Sequence, residues 1–141
     1  MCKALFMAAA LASAGIPAQA FADILVARID LSTQLMTVSM DGEVIYHWPV
    51  STARRGYVTP RGSWRPKRLE RMWYSSKYDD SPMPYSVFYN GGYAIHGTGA
   101  VRQLGRPASH GCVRLRVGNA ARFYSLVQEV GARNTRIVVT N

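Results

Sequence analysis

Cysteine is almost absent from this 141-residue chain: there are two, and only one lies beyond the first few residues. Cys2 stands before an apolar stretch at the very start, leaving Cys112 alone in the rest of the sequence. One such cysteine excludes an intramolecular disulfide framework. Acidic side chains are also scarce, with 8 Asp and Glu against 17 Lys and Arg, and none occurs between Asp80 and Glu129. No apolar run reaches the roughly 18 to 20 residues that would span a bilayer as a mature helix, so stable membrane insertion is not expected. Repeats, low-complexity tracts and internal linkers are missing too. With 48% hydrophobic and 18% charged residues, one globular domain is expected, not general disorder.

The first twenty-two residues differ from the rest of the chain. Lys3 supplies a short positive region, Ala4 to Ile16 is apolar and alanine-rich, and Pro17 precedes small residues in an A-x-A arrangement. This is the layout of a secretory signal peptide over 1–22, cut after Ala20 or Ala22. The domain then runs over 23–141, in an exported, periplasmic protein. Cys2 and Lys3 leave with the leader, so the mature balance is 16 basic against 8 acidic residues, or +8. A basic excess often signals nucleic acid. An exported chain rarely meets any, and an anionic wall polymer or acidic surface is the expected partner class.

After Asp23 the pattern is of strands. Ile24–Ile29 is a short apolar run, Gln34–Met40 alternates, Asp41-Gly42 marks a hairpin, and Glu43–Val50 resumes an extended run. Together they predict a β-meander. Ser51–Gly62 reads as a loop. Ser63–Tyr85 is basic and aromatic with poor periodicity, and is either a cover for the core or a flap beside a groove. Ser86–Tyr89 and Tyr93–His96 form a strand pair turned at Asn90-Gly91-Gly92. Asn119–Val130 is the one helix, with Asn119 as N-cap and Gly131 after its last turn. Thr135–Thr140 closes the domain with a strand. The expected class is mainly β with one short helix near the C-terminus.

Two short segments carry chemistry. Ala94-Ile95-His96-Gly97-Thr98 ends a strand, and fourteen positions after His96 comes His110 within Ser109-His110-Gly111-Cys112-Val113-Arg114. In one reading Cys112 is a nucleophile whose thiolate is favoured beside imidazolium or backbone N–H groups. Gly111 keeps the approach open, and N–H groups of His110-Gly111-Cys112 face the oxyanion. His96, arriving from another strand, is the better proton acceptor. His110, two positions from the thiol, shapes the oxyanion pocket or supports the loop. A zinc site is disfavoured because one thiol and two imidazoles come without CxxC or HExxH, so neither metal nor cofactor is expected. In a third reading Cys112 is an apolar filler. His47, inside a strand pattern, is read as a structural or surface residue.

Residues 94–116 closely resemble the signature of the L,D-transpeptidase catalytic domain, the YkuD or ErfK/YbiS/YcfS/YnhG family. The likeness continues through Thr59-Pro60-Arg61-Gly62, Arg68–Tyr74 and Pro82-Met83-Pro84-Tyr85. His-Gly-Thr alone is a weak signal; with the loop length and Ser-His-Gly-Cys-Val-Arg it is specific. The resemblance implies a β-sandwich-like domain with a mixed sheet, acting without a cofactor on the stem peptides of peptidoglycan. It implies Cys112 as nucleophile and His96 as base, held by the Gly97 carbonyl instead of a carboxylate. Ser109, His110 and Gly111 then support the site, and Arg114 pairs with a substrate carboxylate or braces the loop. A flap tyrosine near the oxyanion is assigned to Tyr74, with Tyr78, Tyr85 and Tyr93 as alternatives. The acceptor is a diaminopimelate amine, an amine of a wall-attached protein, or water as in an L,D-carboxypeptidase. A non-catalytic wall-binding domain is the reading from a different class.

Overall fold

The computed structural model describes residues 23–141, together with Gly15. The leader expected over 1–22 otherwise lies outside the described residues. Among the described residues nine strands form two sheets. β1 (Leu25–Asp30), β2 (Leu35–Met40) and β3 (Glu43–Pro49) make the expected meander. Asp41 and Gly42 turn the second hairpin with φ of +50° and +82°, the left-handed pair that a two-residue hairpin loop requires. β4 (Gly62–Trp64) and β9 (Thr135–Thr140) complete a five-stranded sheet in the order β3-β2-β1-β9-β4. β5 (Arg68–Ser75), β6 (Ser81–Asn90), β7 (Tyr93–Thr98) and β8 (Val113–Arg116) form a second sheet in that order.

Each sheet is mixed because one pair in each is parallel, β1 with β9 and β7 with β8. Strand periodicity explains the layering. Leu25, Ala27 and Ile29 of β1, Met36 and Val38 of β2, and Ile137 and Val139 of β9 all point inward. They meet Val87, Tyr89, Ile95, Val113 and Leu115 of the second sheet in one apolar cluster. The helix α1 (Val117–Val130) adds Ala120, Phe123, Leu126 and Val127, a face at helical spacing.

The helix begins two residues before the position expected from the sequence. β8 runs directly into it, Arg116 takes the N-cap position in an extended conformation, and Asn119 lies inside the first turn. No side chain caps that end. Gly97 explains the tight junction, since a Cβ there would stand 3.0 Å from the Val117 Cα. At the other end the Gly131 N–H donates to the Val127 carbonyl with φ of +88°, a left-handed glycine terminus.

The aromatic stretch 63–85 is not irregular. It is largely β4, β5 and the first half of β6, and β5 and β6 form a long hairpin. Its periodicity is obscured at Tyr85, whose φ of +54° breaks the alternation of β6. Tyr85 packs on Tyr124 of the helix, while Met83 and Phe88, five positions apart, both reach the opposite face.

Tyr89 is fully buried against Trp64, and its hydroxyl has no partner among the described residues. An unsatisfied buried hydroxyl opposes folding. Tyr89→Phe is therefore expected to raise stability by about 1 kcal/mol in urea unfolding, whereas Tyr89→Ala is expected to lose about 3 to 5 kcal/mol.

Candidate active site

Because Ile95 and Val113 pair across β7 and β8 and both point into the core, their neighbours Ala94, His96, Cys112 and Arg114 project to the other face. His96 stands opposite Arg114 in the parallel register, and Cys112 lies one step before the Ile95–Val113 pair. The four groups thus share one patch although loop 99–111 separates them in sequence. The β5–β6 hairpin rises beside this patch, and between them lies a cleft of about 660 Å³ lined by His96, Cys112, Arg114, Trp73, Tyr78 and Tyr93, among others.

His96 is 5% exposed, and its Nδ1 lies 2.7 Å from the carbonyl oxygen of Gly97. A carbonyl only accepts, so Nδ1 carries the proton and Nε2 keeps a free lone pair. Burial pushes the His96 pKa down to about 4, against the opposing pull of the Gly97 carbonyl, and the Arg114 charge lowers it further. The imidazole is neutral at physiological pH.

The Cys112 thiol is half-buried, and desolvation holds its pKa above the ordinary cysteine value despite the backbone N–H of Ala94 and the charge of Arg114. Sγ lies 3.7 Å from the Gly92 carbonyl oxygen. Thiol and imidazole are therefore both neutral at rest, and a thiolate is formed only when the proton has somewhere to go.

The turn carrying the thiol is fixed from two sides. The Ser109 hydroxyl donates to the Cys112 carbonyl at 2.6 Å and accepts the Gly111 N–H at 3.0 Å. The Thr59 hydroxyl accepts the Ala53 N–H and donates to the Gly111 carbonyl at 2.8 Å. Ser51 exchanges two backbone bonds with Arg114, and Thr52 accepts from the N–H groups of Ala108 and Ser109. The buried Gln34 amide holds Thr52 in turn. Gly111 has φ of +136°, and a Cβ there would fall 2.7 Å from the Tyr93 ring and 2.9 Å from the Val58 carbonyl. Its hydrogen atom is a packing requirement as well as an open approach. Since its N–H is engaged by Ser109, it is not a free oxyanion donor in this arrangement.

His110 lines the cleft with its ring stacked on Tyr78 at 4.0 Å and edge-on to Tyr57 at 4.7 Å. Burial, then Arg54 and Arg114, lower its pKa, so it too is neutral. Arg114 is half-buried, reaches Gln103 Oε1 at 3.3 Å on the short helical turn 101–103, and has no carboxylate partner among the described residues. His47 lies outside the site, on β3 against the Thr37 hydroxyl.

Tyr74 does not join the cluster. Alternation along β5 sends Trp73 into the cleft and leaves Tyr74 57% exposed, away from the cleft wall. Tyr78, at the hairpin tip, and Tyr93 line the cleft instead. Sequence reasoning does not single out Thr59, Tyr57 or Arg68 as site residues. Only the Thr-Pro-Arg-Gly turn, through its family likeness, points toward Thr59. Among the described residues no three His, Cys, Asp or Glu side chains converge as a metal-ligand set.

Residues 25–139 match the family model described as YkuD, the L,D-transpeptidase catalytic domain. The fold superposes on an L,D-transpeptidase from Mycobacterium smegmatis with a TM-score of 0.75 at 25% identity, over 84% of this chain and 59% of that one. An L,D-transpeptidase from Mycobacterium tuberculosis H37Rv gives 0.75 at 26% identity, over 84% and 58%. L,D-transpeptidase 3 from Mycobacterium tuberculosis, in complex with a faropenem-derived adduct, gives 0.71 at 25%, over 84% and 60%. The chain thus spans less than two thirds of the length of these relatives. No protein with a curated description matches the sequence. With the match covering most of its length, the chain belongs to the L,D-transpeptidase catalytic domain family.

Proposed function

We propose that this chain is an exported peptidoglycan L,D-transpeptidase that works through a Cys112 thioester. The observation that carries the reading is the anchoring of His96. Its Nδ1 is fixed on the Gly97 carbonyl, which leaves a basic Nε2 on the same sheet face as the Cys112 thiol. A thiol beside an oriented imidazole is the minimal apparatus for acyl transfer without a carboxylate.

In the proposed reaction a tetrapeptide stem enters the cleft with the carbonyl of the L-centre of diaminopimelate at Cys112. His96 Nε2 takes the thiol proton as sulfur attacks the carbonyl carbon, and the carbonyl electron pair moves to oxygen. The tetrahedral intermediate collapses with cleavage of its C–N bond. The imidazolium returns the proton to the departing D-alanine amine, leaving a thioester. An acceptor amine then attacks the thioester, His96 takes its proton, and the sulfur leaves and is reprotonated. A diaminopimelate amine as acceptor makes a 3–3 cross-link; an amine of a wall-attached protein makes a covalent attachment. Tyr78 and the N–H groups of His110 and Cys112 are the candidate oxyanion donors. Arg114 pairs with a substrate carboxylate, supported by its lack of an acidic partner among the described residues. Residues 1–22 act as the signal peptide and 23–141 as the catalytic domain in the periplasm. Consistently, no helix among the described residues is long and apolar enough to cross a membrane.

Incubation with purified tetrapeptide muropeptides and mass analysis of the products tests the reaction. Cross-linked dimers are expected; tripeptides alone would make it an L,D-carboxypeptidase, and no turnover a binding domain.

One related structure is an L,D-transpeptidase in complex with imipenem. A carbapenem is accordingly expected to add its mass to this chain, and Cys112→Ala to abolish both the adduct and turnover. His96→Gln is expected to slow acylation by about 10² to 10⁴-fold, while His47→Ala leaves it unchanged.

The pH dependence follows from the two neutral groups. Neutral His96 is the proton acceptor, and with a pKa of about 4 it persists until the pH falls through that value. The raised thiol pKa delays any gain from spontaneous thiolate at high pH. The carbapenem acylation rate is therefore expected to fall on the acid side only as the pH drops through about 4. A limb near 6.5, the ordinary histidine value, would contradict a desolvated base.

A further inference from the structure

Arg68 lies at the start of β5, directly across from Phe88 of β6. Phe88 in turn faces Ala94 of β7, and the next position across, on the approach to β8, is Cys112. Arg68, Phe88, Ala94 and Cys112 thus form one row across the sheet. The last three share a small apolar cluster on the cleft side. The guanidinium lies 4.2 Å over the Phe88 ring and 4.5 Å from the Trp73 ring centre, held by two aromatic faces. All three side chains line the cleft.

This guanidinium is poorly occupied. Its nearest carboxylate is Glu70, 3.9 Å from Nε, and both side chains are well exposed. Such a contact is weak. No side-chain hydrogen bond of Arg68 occurs among the described residues, so its terminal nitrogens are available. The cleft wall carries Arg68, Lys77 and Arg114 and, among the described residues, neither Asp nor Glu.

We infer that Arg68 binds the carboxylate at the far, D-configured centre of the donor's diaminopimelate, and so selects a free carboxylate over its amide at that position. The inference rests on the acyl-transfer reading above. Two strand spacings, about 10 Å, separate the Phe88 row position from that of Cys112. Allowing about 3 Å for a charged hydrogen bond leaves about 7 Å to the carbonyl under attack. The extended side chain of diaminopimelate, with five carbons between its L-carbonyl and its far carboxylate, covers about that distance. A guanidinium backed by rings offers its edge, in a fork that fits a carboxylate and not a carboxamide, whose NH2 would oppose another donor. Arg114, next to the thiol, is left to a carboxylate nearer the scissile bond.

The test uses two tetrapeptide donors that differ only in whether this far carboxylate is free or amidated. D-Alanine release gives kcat/KM, and intact mass reports the Cys112 thioester. The unsubstituted chain is expected to prefer the free carboxylate by about 10 to 100-fold. Arg68→Met keeps an apolar stem over the two rings and is expected to erase that preference, lowering kcat/KM for the free donor with little change for the amide. Arg68→Lys, which retains charge but not the fork, is expected to keep part of it. An unsubstituted chain without preference overturns the assignment, as does an equal fall on both donors, which would mark a packing role; in both cases acyl transfer itself stands. Failure of both donors to form any Cys112 adduct overturns the acyl-transfer reading and this assignment with it.

Discussion

The parallel pairing of β7 with β8 is the constraint on which the site depends. It places His96 opposite Arg114 and brings Cys112 alongside Ala94, and period-two alternation then puts all four on one face. Inserting or deleting a residue within either strand would send that strand's cleft-facing side chains into the core and its apolar ones into the cleft. The loop joining the two strands therefore cannot settle on its own. It is held by Ser51, Thr52 and Thr59 of the segment that follows β3, and Thr52 is itself tied to the first meander through Gln34. The five-stranded sheet thus contributes no catalytic candidate, yet it sets the position of the thiol turn.

Electrostatically the site is a neutral thiol and a neutral imidazole in a cationic cleft. A carboxylate behind His96 would raise its pKa and cancel one of the nearby positive charges. A backbone carbonyl orients the ring equally well without doing either. The imidazole stays unprotonated, the thiol stays protonated, and Arg114 and Arg68 keep their full attraction for anionic ligands. The lack of acidic residues between Asp80 and Glu129 has its physical meaning here.

Much of this is legible in the chain, for reasons that differ by region. β2 alternates because one face is buried and the other is not, β1 and β9 read as short apolar extended runs, and Asp41-Gly42 and Gly91-Gly92 are turns by residue type. The helix start is hidden because Val117 and Gly118 are poor helix formers, and no capping side chain marks the junction. The β5–β6 hairpin is obscured because Tyr85 interrupts the alternation and apolar groups emerge on both faces. That same hairpin decides which tyrosine meets the cleft. Tyr74 and Tyr78 are alike in sequence, and pairing register alone separates an outward strand residue from one at the tip. The His96 and Cys112 segments are readable because Ala94–Thr98 and Ser109–Arg114, with the loop length between them, resemble the family signature; the residue types alone leave a nucleophile, a metal site and an apolar filler open. Arg68 is not, since its neighbour Phe88 lies across a hairpin.

The larger sheet also bears on when the chain can fold. β1 is sandwiched between β2 and β9, so the first strand of the domain gains its second neighbour only when the last has emerged. Until Thr135–Thr140 is made, an interior edge stays open and Leu25, Ala27 and Ile29 lack part of their cover. Pairings so distant along the chain are slow to form. The larger sheet therefore cannot close before Thr135–Thr140 is available to pair with β1.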